Sequence, residues 1–447
     1  SDVCSSDLVA EDEEVAEEAA ISFRGQGNRT NNLARSLTKG RVDRHLVPEG
    51  RALDSPSSQR QTRCLPEADQ ETLMDLPNIP VGGRIWMFRS FWENLPLDRL
   101  VKRILLEGYR IPFTRTPRFS GIRQTPLCGK YADVLLDEVS GLLRKQAIEP
   151  ILENTSEGYY STYFLVPKKT GDLRPILNLK PINRFIECPS FKMETLNSVV
   201  QGLRPGDWLA SIDLKDAYFH VPIHPQSRKF LRFSINSQCY QYRVLPFGLS
   251  TSPRIFTKFL APVMGHLRLQ GIRIFPYLDD LLLSAESRPL LQSQVETTLS
   301  ILRRAGFIIN LKKSALVPTQ DLIFLGARLL TAQDAICLPE SKAVDIASMA
   351  VSFRMNKSYT ARRWLQILGV MAATIPMTRF ARLRMRPVQW HLHQRWNRIR
   401  QSLDFPVQVT PEVHHHLQWW TDKDNLLSNL HLFPVPVQCV EIGRAHV

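Results

Sequence analysis

The stretch "IFPYLDDLLLSA", residues 274–285, sets two adjacent aspartates, Asp279 and Asp280, inside an otherwise apolar run. A buried charge is costly unless it is paired or bound to a metal. Aspartate is also common at turns. Taken alone, the pair therefore reads first as a hairpin tip and only second as a metal site. Pro276 precedes the pair and apolar runs flank it, so a hairpin would hold both carboxylates at one end of a buried ribbon. Upstream, "SIDLKDAYF" places Asp213 at the end of another apolar strand. Three carboxylates converging from two strands suit two Mg2+ ions in a phosphoryl-transfer site. Magnesium takes hard oxygen ligands and completes its shell with substrate phosphates.

The chain has 447 residues, 43% hydrophobic and 22% charged, a length that predicts about two to four compact units. No apolar run is long enough for a membrane span, and no N-terminal segment looks like a secretory signal. Seven cysteines are scattered without a CxxC pair, which argues against a zinc site or disulfide framework and for a reducing, intracellular setting. The ends stand apart. "DVCSSDL" (2–8) and "EIGRAHV" (441–447) back-translate to reverse-complementary DNA resembling a sequencing adapter. Residues 1–8 and 441–447 are therefore expected to be library artefact, and the natural protein to be longer at both ends. Residues 1–8 carry a net −2, 441–447 none, and the run "VAEDEEVAEEAA" (9–20) −6, so the formal +14 of the whole chain becomes +22 on residues 21–440. Such an excess points to a polyanionic partner, most commonly nucleic acid.

Along the chain, residues 9–78 are polar and without period, as expected of a disordered segment or linker. The aromatic run "IWMFRSFWENL" (85–95), within an extension at 79–125, either packs or binds. "YADVLLDEVSGLLRKQAIE" sets Val134, Leu135, Val139, Leu142 and Leu143 on one helical face. "YYSTYFLVPKKTGDLRPILNL" reads as strand, turn, strand. "QYRVLPFGLSTSPRIFTKFLAPVM" runs from a strand through a Pro/Gly loop into a helix. A helix over 290–307 and a strand pair around "GFIINLKKS" and "IFLGARLL" follow, and the chain is mostly helical and basic beyond about 340. Helices and strands interleave without a βαβ rhythm, which predicts an α+β class.

The motifs "LVPKKTGDLRPILNLKPINRFI", "SIDLKDAYFHVPI", "RVLPFGLSTSPRIFTKFL", "YLDD" and "FLGARL" resemble, in order and spacing, those of reverse transcriptases. Within that family the chain most resembles the tyrosine-recombinase (DIRS-like) retrotransposons, through residues 81–113 and "WWTDKDNLLSNLHLFP" (419–434). The resemblance implies a right-hand polymerase with fingers, palm and thumb and an antiparallel palm sheet. Fingers and palm would occupy 126–340, the thumb 341–400, and a connection toward a missing RNase H domain 401–440. Asp213, Asp279 and Asp280 match the catalytic, metal-binding acids for two Mg2+ ions, or Mn2+. Asp216 and Ala217 match positions whose backbone N–H groups cradle the triphosphate, and Tyr218 the steric gate that excludes a ribose 2′-hydroxyl. Lys169 and Arg174 match the triphosphate-clamping cations of the fingers. Phe247 and Gly248 match the loop against template and incoming base. Phe324, Leu325 and Gly326 match the hairpin that grips the primer.

The implied function is an RNA-directed DNA polymerase of a retrotransposon, with an RNA template, a DNA primer and dNTPs as partners and no membrane. The alternative is a catalytically inactive nucleic-acid-binding remnant. An RNA-dependent RNA polymerase also uses paired aspartates, but Tyr218 argues against it. No RNase H activity is expected, since no acidic RNase H cluster follows. "RFARLRMRPVQWHLHQRWNRIRQ" (379–401) interleaves arginine with tryptophan, as a surface tracking phosphates does. "HHH" (414–416) reads as structural or incidental, because three consecutive histidines cannot face one ion from a helix.

Overall fold

The computed structural model describes residues 79–433 except 128, 130, 154 and 168–172. The expected linker at 9–78 and both adapter-like ends lie outside the described residues. The aromatic run of the extension packs. Ile85, Phe88 and Trp92 are buried; Trp92 Nε1 donates to the Ala305 carbonyl at 3.0 Å and its ring lies 4.5 Å from that of Phe259. Helix α1 (Arg99–Glu107) begins at Asp98, whose side chain accepts from the Val101 N–H, a preferred N-cap arrangement. Helix α2 (Tyr131–Arg144) buries Leu135, Val139 and Leu142. Leu143, expected on the same face, is exposed, because one step of about 100° carries it off the stripe that 135, 139 and 142 share.

Strand β1 (Ile148–Ile151) belongs to a five-stranded sheet, and β2 (Tyr163–Pro167) and β3 (Leu173–Leu177) form a separate antiparallel ribbon in which Val166 faces Arg174. The centre of the molecule is a four-stranded antiparallel sheet. In chain order the elements are β4 (Trp208–Asp213), β5 (Arg232–Ile235), β6 (Gln238–Tyr242), α3 (Ser252–Leu269), β7 (Arg273–Tyr277), β8 (Asp280–Ala285), α4 (Arg288–Arg304) and β9 (Ala315–Thr319). The central sheet runs β9–β4–β8–β7, while β5 and β6 join the five-stranded sheet, in which β6 pairs with β1.

Why the aspartates sit in so apolar a run follows from the two faces of this sheet. Side chains alternate across a strand. Ala210, Ile212, Leu281 and Leu283 point into one core with Phe256, Phe259 and Val263 of α3 and Val295 of α4. Leu209 and Leu282 point into a second core. Both faces are covered, so β8 reads as continuous hydrophobicity rather than alternation.

The second core is built from the C-terminal part. Strands β10 (Asp321–Phe324), β11 (Ala327–Leu330) and β12 (Ala335–Cys337) form a meander. Helices α5 (Glu340–Val351), α6 (Ala361–Thr374), α7 (Ala381–Arg395) and α8 (Pro411–Gln418) pack Ile346, Trp364, Val388 and Leu417 against Leu322, Phe324 and Leu329. Trp364 Nε1 finds the Val407 carbonyl at 3.1 Å. On α8, Val413 and Leu417 are buried while His414, His415 and His416 are half-buried or exposed. The central sheet and the C-terminal meander are antiparallel, with helices packed on them, as in an α+β class.

One expected element differs. Residues 307–310 do not begin a strand; they contribute a single bridge, Leu214 to Ile309. The Lys313 and Ser314 N–H groups both turn back to the Asn310 carbonyl, and the strand starts only at Ala315. The turn wraps the chain around the end of β4, and a continuous strand cannot do so.

Candidate active site

Strand β8 opens on Asp280, which faces Asp213 at the end of β4 and Tyr277 at the end of β7. Leu278 and Asp279 are thus a two-residue turn. Leu278 has φ 54°, a conformation that a branched side chain rarely adopts. The turn is held from outside: the Leu214 N–H donates to the Asp279 carbonyl at 2.8 Å. Asp213 is fixed likewise, its N–H donating to Ser314 Oγ at 3.0 Å and its carbonyl accepting from the Asn310 N–H at 2.8 Å.

The electrostatics are those of crowded anions. Burial, then the Asp279 and Asp213 charges, pushes the Asp280 carboxyl up to about 6, with Lys313 opposing. Burial also raises Asp279; its own backbone N–H opposes, Asp213 adds to the rise and Lys313 opposes. Lys313 Nζ is 4.0 Å from Asp213 Oδ2. Like charges forced together in a partly dry place favour a cation. Among the described residues no three His, Cys, Asp or Glu side chains are gathered tightly enough to enclose an ion by themselves. Magnesium, however, usually binds one or two carboxylates together with water and substrate phosphates. The open, all-oxygen set of Asp213, Asp279 and Asp280 fits that shared kind of site.

Past β4 the chain enters a tight turn. Asp216 is left-handed (φ 50°, ψ 41°) and leads into a 3-10 helix at Ala217–His220. The Asp216 carboxylate accepts from Lys145 Nζ at 2.8 Å. Ala217 and Tyr218 are buried; the Tyr218 ring lies 4.9 Å from Phe247 and 5.7 Å from Phe256. Burial, then the nearby Asp279 charge, pushes the Tyr218 hydroxyl up, so it stays a neutral phenol. His220 is buried with Nδ1 at 3.0 Å from the Ala217 carbonyl and Nε2 accepting from the Ile308 N–H at 3.1 Å. Phe247 is 54% exposed, an unusual state for a ring that packs on Tyr218 from one side. Gly248 has φ 86°, and Asn183 bridges its loop, donating to the Gly248 carbonyl and accepting from the Ser250 N–H. Tyr218 is thus packed between Phe247 and Phe256 and feels the Asp279 charge.

The remaining expected residues sit elsewhere. Arg174 is exposed on β3, and Lys169 lies outside the described residues. Phe324 is buried at the end of β10; Leu325 (φ 48°) and Gly326 (φ 75°) form a two-residue turn into β11, and Lys342 Nζ donates to the Gly326 carbonyl at 3.2 Å. Lys145, Lys313 and Ser314 were missed by sequence reasoning. "LKKS" carries a faint signal, a basic turn after an apolar run, but nothing local says that it returns to Asp213.

Residues 166–329 match the family profile "Reverse transcriptase (RNA-dependent DNA polymerase)". The chain is 28% identical over 256 residues to the Gag-Pol polyprotein of Walleye dermal sarcoma virus, covering 57% of this chain and 14% of that protein. It is 33% identical over 175 residues to the Gag-Pol polyprotein of Avian leukosis virus subgroup A (isolate RSA), covering 37% and 11%. It is also 26% identical over 207 residues to the transposon Tf2-3 polyprotein of Schizosaccharomyces pombe (strain 972 / ATCC 24843), covering 46% and 14%. The chain thus spans a small fraction of these relatives. Among solved structures, the foamy viral protease-reverse transcriptase in complex with RNA/DNA hybrid aligns with a TM-score of 0.57 and 18% identity over 77% of this chain and 46% of that one. A dRH form of that enzyme in complex with ds DNA aligns with a TM-score of 0.57 and 17% identity, over 84% and 63%. The architecture is that of a right-hand polymerase, with β4, β7, β8 and β9 as its palm sheet. Asp213, Asp279 and Asp280 lie inside the matched segment, and residues 166–329 are thus similar to the reverse transcriptase domain carried by retroelement polyproteins.

Proposed function

We propose that the chain is the RNA-directed DNA polymerase of a DIRS-like retrotransposon, extending a DNA primer on an RNA template with dNTPs. One observation carries the reading: the register that sets Asp280 against Asp213, with Asp279 on the adjoining turn, within the reverse transcriptase segment. Asp213, Asp279 and Asp280 would hold two Mg2+ ions, or Mn2+, which lower the pKa of a primer hydroxyl and neutralise a departing pyrophosphate. The buried Tyr218 ring, backed by Phe256, would act as the steric gate against a ribose 2′-hydroxyl. Amides of the Asp216–Ala217 turn and the cations Lys169 and Arg174 would bind the triphosphate, with Arg suited to bidentate contact. Phe247 and Gly248 would pack on template and base, and the Phe324–Gly326 turn on the primer end. Exposed Arg382, Arg384, Arg386, Arg395, Arg398 and Arg400, with no acid between 379 and 403, suit a phosphate-tracking surface. Among the described residues no helix is long and apolar enough to cross a membrane.

The test is primer extension by the full chain on an RNA template with a DNA primer, beside Asp279→Asn. The expected result is dNTP-dependent extension that falls by at least about 10²–10³-fold in the variant. Tight hybrid binding without extension by either protein would favour the binding-only remnant.

A further inference from the structure

Resting on that reading, we infer that Lys145, outside the matched segment, is a positioning residue for the incoming nucleotide: it neutralises Asp216 on the turn whose amides face the triphosphate. Lys145 Nζ is 2.8 Å from Asp216 Oδ1, with Asp216 only 18% exposed and Lys145 41%. Its Nζ also lies 5.6 Å from the centre of the Phe219 ring, so the ammonium is placed against the turn on two sides.

The backbone gives the ammonium little freedom to leave. The Gly82 N–H donates to the Lys145 carbonyl at 2.8 Å, and the next residue, Gly83, donates to the Phe219 carbonyl at 2.8 Å. A Cβ on Gly82 would meet the Gln146 carbonyl oxygen at 2.1 Å, so only glycine lets the two backbones approach this closely. Residues 82–83 of the extension therefore bridge the end of α2 to the Asp216–His220 turn. The turn itself is bent, with Asp216 in the left-handed region, which aspartate tolerates better than most residues.

A half-exposed ion pair contributes little to stability, so the pair is poorly explained as a staple. Its charge is another matter. A bare carboxylate within one or two residues of triphosphate-binding amides repels the highly anionic substrate, and an ammonium held at 2.8 Å cancels that field locally. Lys145 in this view never touches the nucleotide; it acts through Asp216.

Steady-state extension on a fixed RNA–DNA hybrid tests this with Lys145→Met, Lys145→Arg and the double variant Lys145→Met/Asp216→Asn. Lys145→Met is expected to raise KM for dNTP about three- to fivefold, with kcat, hybrid affinity and melting temperature unchanged. The rise should shrink as salt is added. Lys145→Arg should restore KM, and so should the double variant, because removing the carboxylate removes the repulsion. An active Lys145→Met protein with unchanged KM, or with kcat lowered instead, overturns the inference alone, as does a double variant no better than the single. A wild-type chain that extends nothing overturns the inference together with the polymerase reading.

Discussion

Two hairpins of this molecule use nearly the same turn for different ends. Tyr277–Asp280 and Phe324–Ala327 each close antiparallel strands with two residues, and each begins with a leucine in the left-handed region, Leu278 at φ 54° and Leu325 at φ 48°. The second turn then relaxes, placing Gly326 at φ 75° as a twist-matched turn prefers. The first puts Asp279 there instead, with no positive φ. Leu325 packs against the second core, whereas Leu278 is in neither core. The strands differ as well: Leu281, Leu282 and Leu283 behind the aspartates are fully buried, while Ile323 beside the other turn is 59% exposed. A strained, charge-crowded turn persists where the strands behind it are locked on both faces. Where they are half open, glycine and a packed leucine do the holding.

That contrast can be broken by substitution. The largest effect should come from Leu282→Ala, which opens a cavity between sheet and second core and should cost about 2–5 kcal/mol. Ile323→Ala should stay within about 0.5 kcal/mol. Denaturant melts of both variants check this, and equal losses would mean that the palm hairpin is no better supported than its counterpart.

The anion crowding makes a smaller, pH-dependent prediction for the metal-free protein. Asp280 has a folded pKa raised to about 6 from 3.8, so between those values the folded state binds more protons than the unfolded chain. Stability is then lost as pH rises through about 6. In EDTA at pH 7.5, Asp280→Asn should be more stable than wild type by about 1 kcal/mol, allowing for solvent screening. At pH 3.5 the gain should vanish. A gain of the same size at both pH values would show that packing, not charge, is responsible.

The smallest effect concerns the turns themselves. Leu278→Gly removes a left-handed penalty of about 1–2 kcal/mol and adds about 0.5–1 of glycine entropy, so it should be neutral or slightly stabilising. Leu325→Gly also surrenders contact with the second core and should lose about 1 kcal/mol. Paired thermal melts separate the two, and a clear loss in Leu278→Gly would mean that its side chain does packing work that its surroundings do not reveal.

Much of this was legible in the chain. The hairpin around Asp279, the strands on either side and the helix opened by "STSP" are short-range statements, carried by side-chain period and turn chemistry, while the order of the polymerase motifs is legible only as a family resemblance. The sequence by itself also pointed to aspartates at strand ends, because they are the only charged residues in "WLASID" and "IFPYLDDLLLSA". What it left open was every contact made by distant return of the chain. The Ser314 hydroxyl that receives the Asp213 amide is 101 residues away, and the Lys145 ammonium on Asp216 is 71. The pairing of Asp280 with Asp213 likewise depends on register between strands separated by two strands of another sheet, a helix and β7. The aromatic run at 85–95 could not be assigned to packing until Ala305 supplied the acceptor for Trp92. Only tertiary structure decided these. Local patterns specify which face of an element is buried, whereas a long-range hydrogen bond or ion pair is fixed by how two cores, each completed by remote segments, bring that face to its partner.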